Sequence, residues 1–390
     1  MLLVLAQPAS SQPGSTAALA QAAKLEGSKK YESAYQILDK ADPKDQQPEV
    51  FLQKEKLLLD YYLLTLGFRG FALKDLAPGE TVEQLRGKEG NYNMHLVDIP
   101  QRIGQLKKRF PQDYRLHKGL ADYYYQMVMC HCGQGDKTDA ELLNLVVKNY
   151  EQAHAHQLGD FMSHYAVGYA HLVQNQAQLS VAPLEKSIAL NPQYPTSHYN
   201  LAYALLQLQK PAEATPHAQT AFQLYTEPDL KADAARMLGQ LYSQQQQPAE
   251  ARKMVQQSLE LQPQNYASLR SMLELAVADR SSEATAWATR LYQLNPADDQ
   301  MFSDIMDIYQ AQNQWAEAES FFSGQVAKAP NTPEAQGLLH FYVAILNMQL
   351  KRPKVARPHF LAAQTHLKKV SKPDNPLFQT IKRGLAETKP

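Results

Sequence analysis

Three soft-ligand residues stand together at Cys130-His131-Cys132, in a turn that also carries Gly133, Gly135 and Asp136. Thiolate and imidazole bind borderline metals, and Asp136 or Asp139 offers a fourth ligand. The spacing argues against that use. Structural zinc sites draw two ligands from each of two separated pairs, and a Cys-x-Cys string reaches one metal with poor geometry. A disulfide across one intervening residue is cramped as well. Cys130, His131 and Cys132 are therefore kept only as weak metal candidates. The favoured reading is a pair of half-buried thiols in a turn, with no cofactor expected.

Other catalytic signals are missing from the sequence. It contains no GxxxxGK[ST] loop, no HExxH, no GxSxG and no EF-hand loop. Tyrosine and histidine are plentiful, yet no local spacing ties a histidine to a carboxylate and a nucleophile. Such sets are assembled in space, so this weakens an enzymatic reading without closing it.

The elements that must position these residues are read from periodicity. The 390 residues hold 44% hydrophobic and 20% charged residues, enough to bury a core. Lysine plus arginine and aspartate plus glutamate both number 39, so there is no net basic field for nucleic acid and no such partner is expected. No apolar run approaches the roughly 20 residues needed to span a bilayer. Two cysteines exclude a disulfide scaffold. Prolines that close helical stretches fall at Pro192, Pro228, Pro263, Pro296 and Pro330, spaced 36, 35, 33 and 34 residues. Small residues early in the preceding helix fall at Ser180, Ala214, Ala251, Ala284, Ala318 and Ala356, at nearly the same period. Two markers at one period predict stacked helix pairs, each too small to cover its own apolar face.

The wording of the repeat resembles the tetratricopeptide repeat family, a helix–turn–helix unit of about 34 residues. Ala235, Leu238, Gly239 and Tyr242 fill the first half of the family pattern, with Ala251, Val255 and Pro263 completing it. His164, Val167, Gly168 and His171 fill the first half in another unit, and Phe302, Ile305, Met306 and Tyr309 open a third. Gly168, Ala202 and Gly239 are the positions where helices must approach closely. The resemblance implies an all-α, right-handed solenoid. About seven repeats are expected over 114–372, a capping helix and tail over 373–390, and divergent helix pairs over 15–113 interrupted by a glycine-rich, mobile insertion at 67–99. Residues 1–14 read as the tail of a secretory signal or a disordered leader, with the balance toward an exported protein and a cytoplasmic one as the alternative.

The resemblance also implies where a partner binds. First helices of successive pairs line a groove, and the stripe beside the packing slots holds Tyr125, Tyr165, Tyr169, Tyr199 and Tyr203, then Arg236 and Arg270. An aromatic half beside a charged half suits a peptide with apolar anchors and a polar flank. Members that clamp a C-terminal carboxylate use basic residues on this stripe. Here Lys118 is the only matching lysine, Asp122 stands where an asparagine belongs, and Tyr165 and Tyr199 replace further cations, so that use is disfavoured. His117, His164, His198 and His340 recur in the family's opening aromatic slot, which favours packing over a metal ladder. The expected function is a non-catalytic scaffold for a protein or peptide in the groove. The alternatives are a self-assembling, envelope-associated protein that forms homo-oligomers and, more remotely, an enzyme using the Cys130 turn.

Overall fold

The computed structural model describes residues 13–132 and 137–389. Residues 1–12 of the expected leader and Asp136 lie outside the described residues, while Pro13 and Gly14 open a helix. The chain divides into two compact units, residues 1–208 and 209–390.

The first unit opens with helices α1 (Pro13–Gly27), α2 (Tyr31–Ala41) and α3 (Pro48–Tyr61). A small sheet follows, built from β1 (Leu64–Leu66), β2 (Gly70–Leu73) and, after the short helix α4 (Val82–Leu85), β3 (Asn93–Leu96). It continues through α5 (Ile99–Arg109), α6 (Arg115–Met129), α7 (Asp139–His154), α8 (Phe161–Val173), α9 (Ala177–Leu190) and α10 (Pro195–Gln207). The second unit is helical among its described residues: α11 (Pro211–Leu224), α12 (Pro228–Gln244), α13 (Pro248–Leu261), α14 (Tyr266–Ala278), α15 (Ala284–Tyr292), α16 (Asp299–Ala311), α17 (Trp315–Gln325), α18 (Pro333–Gln349), α19 (Pro353–Leu367) and α20 (Pro376–Glu387).

Antiparallel pairs form where small residues permit close approach. A Cβ placed on Gly168 would lie 2.5 Å from Leu184 Cγ, which ties α8 to α9. Gly239 faces Val255 in the same way across α12 and α13, and Gly337 faces Leu367 across α18 and α19. The turn inside each pair carries a residue with left-handed backbone: Asn175, Gln209, Gln246, Arg280, Asn313 and Lys351, each with φ between 50° and 59°. After five of these residues the next amide reaches back five positions, as in Gln176 N to His171 O (2.8 Å) and Ser281 N to Ala276 O (2.8 Å). This is the Schellman arrangement that ends a helix and satisfies its last carbonyls. Prolines punctuate the other ends. Pro192, Pro263, Pro296 and Pro330 follow second helices, but Pro228 opens α12 at its first turn, where a missing N–H costs nothing.

The 67–99 insertion differs from expectation. It contains two strands of an antiparallel sheet whose first strand begins at Leu64, with Thr65 opposite Phe71 and Phe71 opposite His95. Phe68, Phe71, Ala72 and Leu73 are fully buried, and Phe68, Phe71 and Leu73 pack with Leu57, Leu58, Tyr62 and Tyr123 in the core of the first unit. The sheet is tied down by Tyr123 Oη donating to Phe68 O (3.1 Å) and by Leu76 N donating to Lys29 O (3.0 Å). Asp75 accepts from the Ser33 hydroxyl at 2.6 Å. A mobile loop would leave such backbone groups in water; this one pairs them.

Candidate functional site

The Cys130 turn is the helix end of its own repeat. His131 is the left-handed residue (φ 51°), and Cys132 N donates to Met127 O at 3.2 Å, the same five-residue reach found in the other pairs. The cysteines flank that residue and their sulfurs are joined in a disulfide. The reading as two half-buried thiols is thereby corrected, because the turn itself brings the two side chains together. Bonded sulfurs present no thiolate, which removes the two strongest ligands from the weak metal set of Cys130, His131 and Cys132. No group of three or more His, Cys, Asp or Glu with metal-holding geometry occurs among the described residues.

The histidines of the opening slot pack against rings and polar groups. His164 stacks on His154 with centroids 3.8 Å apart, and His154 bonds the Ser163 hydroxyl at 3.0 Å. His117 lies 3.1 Å from Asn149 Oδ1, and His198 reaches Pro192 O at 3.1 Å. His340 and His359 share a bond between their Nδ1 atoms at 2.8 Å, so one ring must accept and remain unprotonated there. Burial, with the neighbouring imidazoles adding to it, pushes His154 and His340 down to about 4.

The tyrosine stripe separates by depth. Tyr125 and Tyr165 are buried, Tyr169 and Tyr199 are half-buried, and Tyr203 is 42% exposed. Tyr169 touches both buried rings, edge-on to Tyr125 at 6.4 Å and stacked near Tyr165 at 6.2 Å. Tyr194, which the sequence reading passed over, packs edge-on to Tyr165 at 5.3 Å. Burial pushes the Tyr125 and Tyr169 hydroxyls up. Tyr165 packs with Tyr169 and Tyr194, while Tyr125 meets Tyr169 and also lines a cavity of the first unit.

Two cavities lie along first helices, one in each unit. In the second unit a cavity of about 850 Å³ is lined by Arg236, Gln240 and Ser243 of α12 and by Arg270, Ser271 and Glu274 of α14. The repeat spacing brings Arg236 and Arg270 to one wall. Arg270 pairs with Glu274 at 3.2 Å through one nitrogen, and its Nε has no hydrogen-bond partner. That leaves one directed donor for an incoming acceptor.

In the first unit a cavity of about 710 Å³ lies between α3, α6 and α8, with Tyr125 and Tyr194 in its lining. Lys118 of α6 sits in it, held by Asp122 and Asp160 at 3.1 Å each. Tyr150 of α7 donates to Asp122 at 2.6 Å. A lysine so engaged is not free to clamp a carboxylate. Glu55 of α3 faces the same space and is only 2% exposed. Burial pushes its carboxyl well above the usual range, Asp122 adds to that, and Lys118 pulls the other way. Glu55, Tyr150 and Asp160 were missed because each lies in an unremarkable helical string; only their convergence in space distinguishes them.

These features define a class first: an all-α protein of stacked antiparallel helix pairs with cavities along the first helices. Residues 193–264 match the family model for the tetratricopeptide repeat. Residues 193–264 thus carry tetratricopeptide repeats, and the Gly-paired helices on either side are built in the same way. No curated protein matches it. Among solved structures it is similar to a tetratricopeptide repeat protein from Parabacteroides merdae, at 15% identity over 70% of this chain and 98% of that one, TM-score 0.44. It is also similar to MamA from Desulfovibrio magneticus RS-1 (18% identity, 49% and 96% covered, TM-score 0.37). A third is YrrB, described as having an unusual peptide-binding site (13% identity, 61% and 99% covered, TM-score 0.36).

Proposed function

We propose that this protein is a non-catalytic scaffold that holds a peptide segment of a partner along its first helices. The observation that carries the reading is the second-unit cavity, where Arg236, Gln240, Arg270 and Glu274 line one space. Stacked repeats offer rows of equivalent side chains, which suits an extended ligand better than a compact substrate. The unpartnered Arg270 Nε supplies a donor for a backbone or carboxylate oxygen of that ligand.

The test is a selection of peptides from a random library on the full chain, followed by affinity measurement. The double variant Arg236→Glu, Arg270→Glu should lose capture at least tenfold while its melting temperature stays within a few degrees, because each arginine pairs only with a part-exposed neighbour on its own helix and such pairs contribute little to stability. Undiminished capture by the double variant, or no selected peptide at all, would remove the reading.

One observation favours self-assembly as a second reading. Leu66, Met94 and Leu96 on the small sheet are 67%, 45% and 76% exposed and gather around Gly70. An uncovered apolar sheet face is a site for a second copy. Size measured over a concentration series decides it: a constant monomer mass would discard this reading.

A further inference from the structure

The first-unit cavity has a recognition chemistry of its own. Its charged lining comprises Glu49, Glu55, Asp60, Asp122 and Asp160 against Lys56, Arg115 and Lys118. The three cations are already engaged. Lys56 pairs with Glu26 at 2.6 Å and Asp60 at 3.0 Å. Arg115 pairs with Asp113 at 2.5 Å, and Lys118 with Asp122 and Asp160. Glu55 is the exception. It is 98% removed from solvent by area and its Oε1 has no hydrogen-bond partner, as is true of Glu49 Oε2, but unlike Glu49, which lies 3.9 Å from Arg115, it makes no ion pair among the described residues. A buried acceptor left without a donor costs roughly 1–3 kcal/mol, so its retention calls for an explanation.

The geometry points to a basic side chain of the partner segment, ammonium or guanidinium, as the group that enters this cavity and pairs with Glu55. This deepens the scaffold reading and rests on it. Three observations converge. The orphaned acceptor demands a donor; the lining carries two more acidic than basic groups; and the rings of Tyr125 and Tyr194 supply aromatic surface for a cation's alkyl stem or charged face. The charged and titratable groups facing Glu55 are Asp60 on its own helix, Lys118, Asp122 and Tyr123 on α6, and Tyr150 on α7 beyond Asp122. Since burial and Asp122 favour the protonated carboxyl, an arriving cation drives Glu55 to ionise, and the proton leaves to solvent. Gly119 opposite it gives the carboxyl its room, since a Cβ there would collide with Glu55 Oε2.

The experiment titrates the full chain with Nα-acetyl-lysine amide, Nα-acetyl-arginine amide and Nα-acetyl-norleucine amide by calorimetry in two buffers of different ionisation enthalpy. The inference expects both or one of the basic probes to bind with proton release, norleucine to bind at least tenfold more weakly, and Glu55→Gln to abolish both the preference and the proton release. Glutamine matches the shape of the protonated acid, so the variant should fold. If circular dichroism shows otherwise, Glu55→Met, which has similar volume and no charge, carries the same comparison. Equal binding of the basic and norleucine probes, no binding by either basic probe, or a preference unchanged in Glu55→Gln would overturn it. These results do not depend on peptide selection, so the scaffold reading can survive their failure. Basic probes that bind through Glu55 while peptide selection yields nothing would overturn the assignment to a partner's side chain.

Discussion

A tyrosine four residues from another on one helix face is easy to find and hard to assign, and the stripe shows why. Periodicity gives the face of a helix but not which neighbour covers it. Tyr165 and Tyr203 share the expected stripe, yet one is 6% and the other 42% exposed. Tyr165→Ala removes a ring packed against Tyr169 and Tyr194 and should cost about 3 kcal/mol in denaturant unfolding. Tyr203→Ala should change stability by less than about 0.5 kcal/mol. Equal effects of the two would mean the depth assignment is wrong. The close-approach glycines, in contrast, were legible from type and position alone. Gly168→Leu should push against Leu184 and the Ser180 carbonyl, which stands 3.3 Å from a Cβ there, and lower stability by roughly 1–3 kcal/mol.

At the scale of elements, helices declared themselves and turns did not. Apolar spacing and prolines marked the ends of second helices, but the left-handed residues at the inner turns are Asn, Gln, Arg and Lys rather than glycine. A glycine would have been the readable signal. Its absence leaves strain behind. A left-handed non-glycine residue costs roughly 1–2 kcal/mol, partly offset by glycine's freedom in the unfolded chain. Arg280→Gly and Lys351→Gly, both exposed, should therefore raise stability by about 0.5–1 kcal/mol each, and Asn175→Gly by less, since asparagine tolerates this backbone. A loss of stability in Arg280→Gly, measured by chemical denaturation, would contradict the assignment. The small sheet was illegible for a related reason. Its strands run three or four residues, too short for alternation to show, and glycines on either side read as loop. What identifies it is burial of Phe68 and Phe71. Trypsin should accordingly cut after Lys88, in the exposed stretch between α4 and β3, and leave 64–76 in the protected fragment.

Across the whole chain the formal charge is zero at pH 7, so mild acid does not begin from an already repulsive state. The acid response should come instead from histidines distributed over both units. His117, His154, His164, His198, His340 and His359 are all pushed below the ordinary imidazole value, chiefly by burial. A folded-state value below the unfolded one means that the unfolded chain binds more protons. The stability contributed is complete above about pH 6.5 and is lost as pH falls toward the folded value, about 4 for His154 and His340. Glu55 acts in the opposite sense. Its raised carboxyl, like those of Asp122 and Asp304, stabilises the fold below the ordinary carboxylate range and gives that up as pH rises, but these are three groups against six. The melting temperature should thus fall between pH 7 and pH 5. His340→Phe keeps an aromatic in the opening slot and removes one titrating ring, at the cost of the bond to His359. It should reduce the acid loss by on the order of 1 kcal/mol, after allowance for partial solvent screening. The comparison is the difference in unfolding free energy between pH 7 and pH 5 for the two proteins. A difference unchanged by His340→Phe would place the acid sensitivity elsewhere, and a melting temperature that rises toward pH 5 would show that the carboxyls outweigh the imidazoles.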